Sequence, residues 1–165
     1  MRHFISLIVA MTLLSSGSLM AGVTLTMNFG TFSVYGNRAK QSCSGQANLI
    51  SAKGHKVSAA IHWRVGKNLY LLAKHPDVSK IKGRQKVVFA FPDGRKISFP
   101  MRQAQGQLQI PVGIGPRGLS FYDALMDNPQ VTVELKAIGD QILVDLKDKT
   151  KAESGALYCR EWVGG

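Results

Sequence analysis

The sequence predicts an all-β protein: a β-sandwich or partly closed barrel of short antiparallel strands, with one short helix near residues 120–127. Three observations lead there. Apolar and polar residues alternate in many short runs, the period of a strand with one buried face. Gly, Pro, Asn and Asp punctuate those runs at short intervals, as turns between antiparallel strands require. Helical spacing with both a start and a stop signal is read at one place, and no alternation of strands with long helices suggests a parallel sheet.

The first strand candidate is Val23–Met27, followed by Thr31–Tyr35 with Phe32 and Val34 on one face. Gln46–Ser51, Lys56–Arg64 and Asn68–Ala73 are further short runs. Lys86–Phe91 and Arg95–Phe99 flank Pro92-Asp93-Gly94. Proline presets φ and glycine accepts a positive φ, so these two runs should form a hairpin. Leu108–Val112 is the next candidate. Val131, Val133 and Leu135 then alternate with polar residues, and Ile142, Val144 and Leu146 resume the period after Gly139-Asp140, which indicates a second hairpin. Ala156–Trp162 is expected as the last strand, carrying Cys159.

The helix is expected from Ser120, whose hydroxyl can accept a free N–H, and from Asp123 in the first turn. Phe121, Ala124 and Leu125 would face the core, and Asn128-Pro129 would stop the helix.

Residues 1–21 have the form of a secretory signal peptide. Arg2 and His3 give a positive start, Phe4–Leu14 is mainly apolar, and small residues lead to Ala21. The apolar run is short for a membrane span. The expected organisation is a leader over 1–21 and a single β-rich domain over 22–165, soluble in the periplasm or secreted. In an oxidising compartment the two cysteines, Cys43 and Cys159, are expected to form a disulfide, since neither belongs to a CxxC or a Cys/His cluster.

Charge is uneven. The chain carries +11, and between Arg38 and Arg117 fifteen Lys or Arg face only Asp77 and Asp93, a balance of +13. From Gly118 onward five basic and eight acidic residues give −3. A positive region of this size favours anionic partners such as lipid headgroups or envelope polymers. Lys80, Lys82, Arg84 and Lys86 recur at every second position, so an extended segment over 80–91 would place all four on one face as an anion-binding strip. The same charges would serve as an edge that discourages strand-to-strand aggregation.

Few residues nominate themselves for chemistry. Gly113-Ile-Gly115-Pro-Arg-Gly118 fits GxGxxG, but Pro116 removes an N–H and no βαβ pattern surrounds it, so a nucleotide cofactor is not expected. Arg117 beside the start of the helix is a candidate for a small anion. His55, His62 and His75 lack metal-type spacing, and no metal is expected. Asp123 and Asp127 would share a helix face as a carboxylate pair, but capping and solvation account for them. No nucleophile motif occurs, and no catalytic residue is assigned.

The order of features carries more than any one of them. Phe32-Ser-Val34 is followed by Cys43-Ser-Gly-Gln-Ala47, Leu69-Tyr-Leu-Leu72, Val87-Val-Phe-Ala-Phe-Pro-Asp-Gly94 and Ile97-Ser-Phe-Pro100. Leu108–Val112, Phe121-Tyr-Asp-Ala-Leu125, Val131-Thr-Val-Glu-Leu135, Val144-Asp-Leu146 and Leu157-Tyr-Cys159 complete the series. Over residues 31–160 this resembles the invasion-associated locus B family of exported bacterial proteins. Phe32 stands where that family has tryptophan, its early cysteine pair is reduced to Cys43, and its ending is matched only loosely by Leu143–Leu157. The resemblance implies a small β-sandwich with one short helix in the periplasm or envelope, associated with host-cell entry, and implies no catalytic residues. The expected function is therefore a non-enzymatic envelope module that binds a protein partner or an anionic polymer or lipid headgroup. The alternative is a small periplasmic inhibitor or immunity-type protein, with Gly113–Gly118 as the blocking loop.

Overall fold

A computed structural model describes residues 24–64, 69–113 and 115–164. The expected signal peptide over 1–21 lies outside the described residues. The fold is mostly antiparallel β. Its strands are β1 (Thr24–Phe29), β2 (Phe32–Asn37), β3 (Ser42–Ile50), β4 (Lys56–Arg64), β5 (Tyr70–Lys74), β6 (Gln85–Ala90), β7 (Lys96–Ala104), β8 (Gln107–Pro111), β9 (Gln130–Leu135) and β10 (Asp140–Asp145). They form a ten-stranded sheet in the order β1-β2-β3-β4-β5-β8-β7-β6-β9-β10.

The sheet is sandwich-like because β7 changes partners along its length. Residues 96–101 pair with β6, and residues 102–104 pair with β8. The two halves of the sheet thus turn their apolar faces toward one interior. Between the two ends, Ser51 at the end of β3 forms a single bridge with Ile142 of β10, so the sheet approaches closure without reaching it.

Turn chemistry sets the registers. The Pro92-Asp93-Gly94 hairpin forms as its residues predict: Phe91 N–H donates to Arg95 O, and Gly94 sits at φ 89°. Gln105 and Gly106 both have positive φ, 53° and 71°, which matches a two-residue hairpin to the right-handed twist of its strands.

The interior is filled by Phe89, Phe91, Phe99 and Phe121 with Met101, Leu108, Ile110, Val131 and Leu135 around them. Phe121 comes from α1 (Pro116–Asp127) and lies 4.6 Å from Phe89 and 5.3 Å from Phe99 between ring centroids. This helix begins four residues before the expected Ser120. Gly115 is its N-cap and Pro116 supplies the preset φ of the first turn, so Ser120 caps nothing. The stop is as expected: Asn128 Nδ2 donates to Ala124 O at 2.9 Å, and Pro129 follows.

The chain's end departs from expectation. Residues 156–162 are not a strand; they lie in a second helix, α2 (Lys149–Gly164). Gly155, Cys159 and Val163 recur every four residues and are its buried face, the spacing of a helix and not of a strand. This face packs on β1, β2 and β3. There Cys159 is bonded to Cys43 of β3, with Cα atoms 6.2 Å apart, and Val34 and Val163 complete a second, smaller core. The fold class stands, with two helices in place of the single one expected.

Candidate functional site

Two polar constellations stand out. One is buried, at the place where the sheet nearly closes. His75 and Asp140 have no exposed side-chain surface, and His75 Nε2 lies 3.1 Å from Asp140 Oδ2. His75 Nδ1 accepts from the Asp77 N–H at 3.1 Å, so the ring carries its proton on Nε2 and donates it to Asp140. Burial pushes the Asp140 carboxyl up, but hydrogen bonds from Ser51, the Gln141 N–H, His75 and the Lys53 N–H outweigh it and hold the carboxyl below the usual range. Lys53 also donates Nζ to Ile138 O at 2.8 Å, and Ala52 N–H donates to Gln141 O at 2.7 Å.

This cluster joins the β3–β4 turn, the short 3-10 helix Pro76–Lys80 and the start of β10. It has a serine, a histidine and an aspartate, but Ser51 serves Asp140 and not the imidazole, and all three are enclosed. The Asp140 carboxylate is taken up by donors from three separate segments, so the group acts as a clasp between them. The half-buried His55 lies beside it, 3.8 Å from Asp77 and edge-on to His75.

The other constellation is open. Residues paired side by side across a sheet share a face. Following the register from β3 outward joins Ser44 to His62, His62 to Tyr70, Gln46 to Ala60, Ala60 to Leu72, Leu72 to Gln109 and Gln109 to Arg102. Ser58 stands opposite Lys74 on the same outward face. Small side chains at Ser44, Ser58 and Ala60 lie among longer ones at Gln46, His62, Leu72, Lys74 and Gln107, leaving a depression of about 250 Å³.

Among the described residues, the outward face of β1–β5, β8 and residues 102–104 of β7 holds no carboxylate. Its exposed strand cations include Lys56, Lys74 and Arg102, with Arg102 Nη2 bonded to Gln109 Oε1 at 3.2 Å. Around the corner, Lys86 and Lys96 continue the outward positions on β6 and β7. The first outward carboxylate beyond them is Glu134 of β9, opposite Val88.

The expected strip is placed differently from a single extended segment. Lys80 ends the 3-10 helix and pairs with Asp77 at 2.8 Å; Lys82 and Arg84 lie on the connection to β6; only Lys86 is in the strand. Contact with Lys80, first through its hydrogen bond, draws the Asp77 carboxyl down. Arg117 is exposed in the first turn of α1, apart from these lysines in sequence. Two of the glycines near it are structural, Gly113 at φ 71° and Gly118, where a Cβ would stand 2.3 Å from Gly113 O. A Cβ on Gly115 would meet open space, and residue 114 lies outside the described residues. Asp127 is held by Arg95 at 2.8 Å, and Arg95 also binds Asp93, whose carboxyl is drawn well down by it. The expected carboxylate pair is thus partly engaged in tying α1 to the β6–β7 turn.

Sequence reasoning missed both constellations for one reason. Each is assembled from strands far apart in the chain, and neither β5 beside β8 nor Ser51 beside β10 has a local signal. The chain matches no protein-family model, no curated protein and no solved structure.

Proposed function

We propose that this protein is an exported, non-enzymatic binding module of the cell envelope whose outward sheet face takes an anionic polymer. The observation that carries this reading is the carboxylate-free face bearing Lys56, Lys74 and Arg102. On a face without acids each cation adds to one field, and a repeating anion can engage several at once. Export is supported by the leader-like residues 1–21 and by the Cys43–Cys159 bond, which belongs to oxidising compartments. The motif order resembling invasion-associated locus B proteins agrees with an envelope location.

The test is retention on immobilised heparin and lipopolysaccharide across a salt series. Wild-type affinity should fall steeply with salt, because each neutralised charge releases counterions. Combining Lys56→Gln, Lys74→Gln and Arg102→Gln should reduce the slope of log affinity against log salt by about 1 for each contacting charge removed. Stability should hold, since exposed charges contribute little to folding. Combining Lys80→Gln, Lys82→Gln and Arg84→Gln instead should have the smaller effect. The reverse ranking would move the site to the connection before β6. Retention that ignores salt would end the polymer reading and make a protein partner the better one.

A further inference from the structure

We infer that the polymer is an acidic polysaccharide, with one sugar unit seated in the depression over β3, β4, β5 and β8 and its acidic group at Lys74. This rests on the outward face being the binding surface and names what that surface recognises. A fully ionised phosphate chain offers acceptors only, and the side chains suited to it are donors such as Arg and Lys. The depression is built otherwise. Ser44 and Ser58 bring hydroxyls, Gln46 and Gln107 bring amides, and each of these both donates and accepts. Sugar hydroxyls do the same, so this set can pair with adjacent hydroxyls where a row of ammonium groups cannot.

Size and charge agree. At about 250 Å³ the depression is smaller than a typical site for a whole drug-sized ligand, which fits one ring of a longer chain. One lysine lines it, which matches a sugar unit with a single acidic group. Tyr35 neighbours Ser44 across β2–β3, and Tyr70 neighbours His62 across β4–β5, both on the outward face. Each can lend an apolar ring face and a polar hydroxyl to the flanking units.

The experiment compares polygalacturonate, polyphosphate of equal charge and uncharged dextran as ligands for the disulfide-bonded protein at moderate salt. Wild type should bind polygalacturonate more tightly than polyphosphate by roughly tenfold, about 1.4 kcal/mol, and bind dextran most weakly. The Gln46→Ala/Gln107→Ala double variant, with its melting temperature checked against wild type, should lose that preference and keep its polyphosphate affinity. Equal or stronger binding of polyphosphate by wild type would overturn the sugar assignment and leave the anionic-polymer reading intact. Preference retained in the double variant would overturn the location. Binding to none of the three would remove both proposals together.

Discussion

The interior consists of two cores that are held together by different means. The larger one, between the two halves of the sheet, joins four phenylalanine rings with aliphatic residues from β4 to β10. Each fully buried side chain of this kind contributes roughly 1.5–3 kcal/mol, so packing supplies most of its cohesion without a covalent link. The smaller core lies under α2, where Val34 and Val163 flank the Cys43–Cys159 bond and Leu25, Met27, Phe29 and Trp162 close the rim. Two buried valines are worth about as much as the disulfide, which constrains a separation of 116 residues and adds roughly 4–5 kcal/mol in the chain-entropy model. A small core is stapled where a large one is filled.

Breaking the staple should therefore separate the two. Cys43→Ala/Cys159→Ala, or reduction of the wild type, should cost about 2–5 kcal/mol, the largest effect foreseen here. Hydrogen exchange should show protection lost first in residues 24–50 and 149–164, with residues 85–112 holding longer. Equal and simultaneous loss in both regions would mean that the cores are one cooperative unit.

The clasp around Asp140 makes a second contrast, since it secures the larger core by polar contacts. Asp140→Asn leaves donors from His75, Ser51, Lys53 and Gln141 sharing one carbonyl, and should cost roughly 1–3 kcal/mol at neutral pH. The sign with pH follows from a folded carboxyl held below its ordinary value. Its contribution is fully present above the unfolded value of about 3.9 and is lost as pH falls through the folded one. Denaturant titrations should show the gap between wild type and variant narrowing below about pH 4. Asp77 and Asp93, also depressed, keep an acid limb in the variant. A gap that stays constant down to pH 2 would show that Asp140 acts through shape alone.

How much of this was legible depends on how local each signal is. The Pro92-Asp93-Gly94 hairpin and the Asn128-Pro129 stop were readable because a few adjacent side chains determine their backbone. The second helix has no comparable local signal: Ala156–Trp162 reads as a short, partly apolar run with no cap-and-stop pair flanking it to mark a helix. The four-residue recurrence of Gly155, Cys159 and Val163 held the answer. The cysteine pairing followed from number and compartment, without any knowledge of the elements that carry it. The outward face and the clasp needed strand order, which parity along one strand cannot supply. Lys80–Lys86 illustrates this: even spacing yields a common face only if the segment is extended, and the 3-10 turn at Pro76–Lys80 breaks that condition.

The smallest effect tests how the helix lies on the strands. A Cβ on Gly155 would stand 2.4 Å from Cε2 of Phe29, too near for any real contact, so α2 approaches β1 only because that Cβ is missing. Phe29, however, is half-buried at the end of an edge strand and can swing outward. Gly155→Ala should therefore cost about 1 kcal/mol, with a lower melting temperature and an unchanged disulfide. The control is Gly36→Ala on β2, where the added Cβ would meet Cys159 Sγ at 2.8 Å and Leu25 Cβ at 3.2 Å. The sulfur is tied through its bond to β3 and cannot move aside, so this second variant should lose more stability than the first. If the two rank the other way, the disulfide is the yielding part of the small core and the helix-to-strand packing is the rigid one.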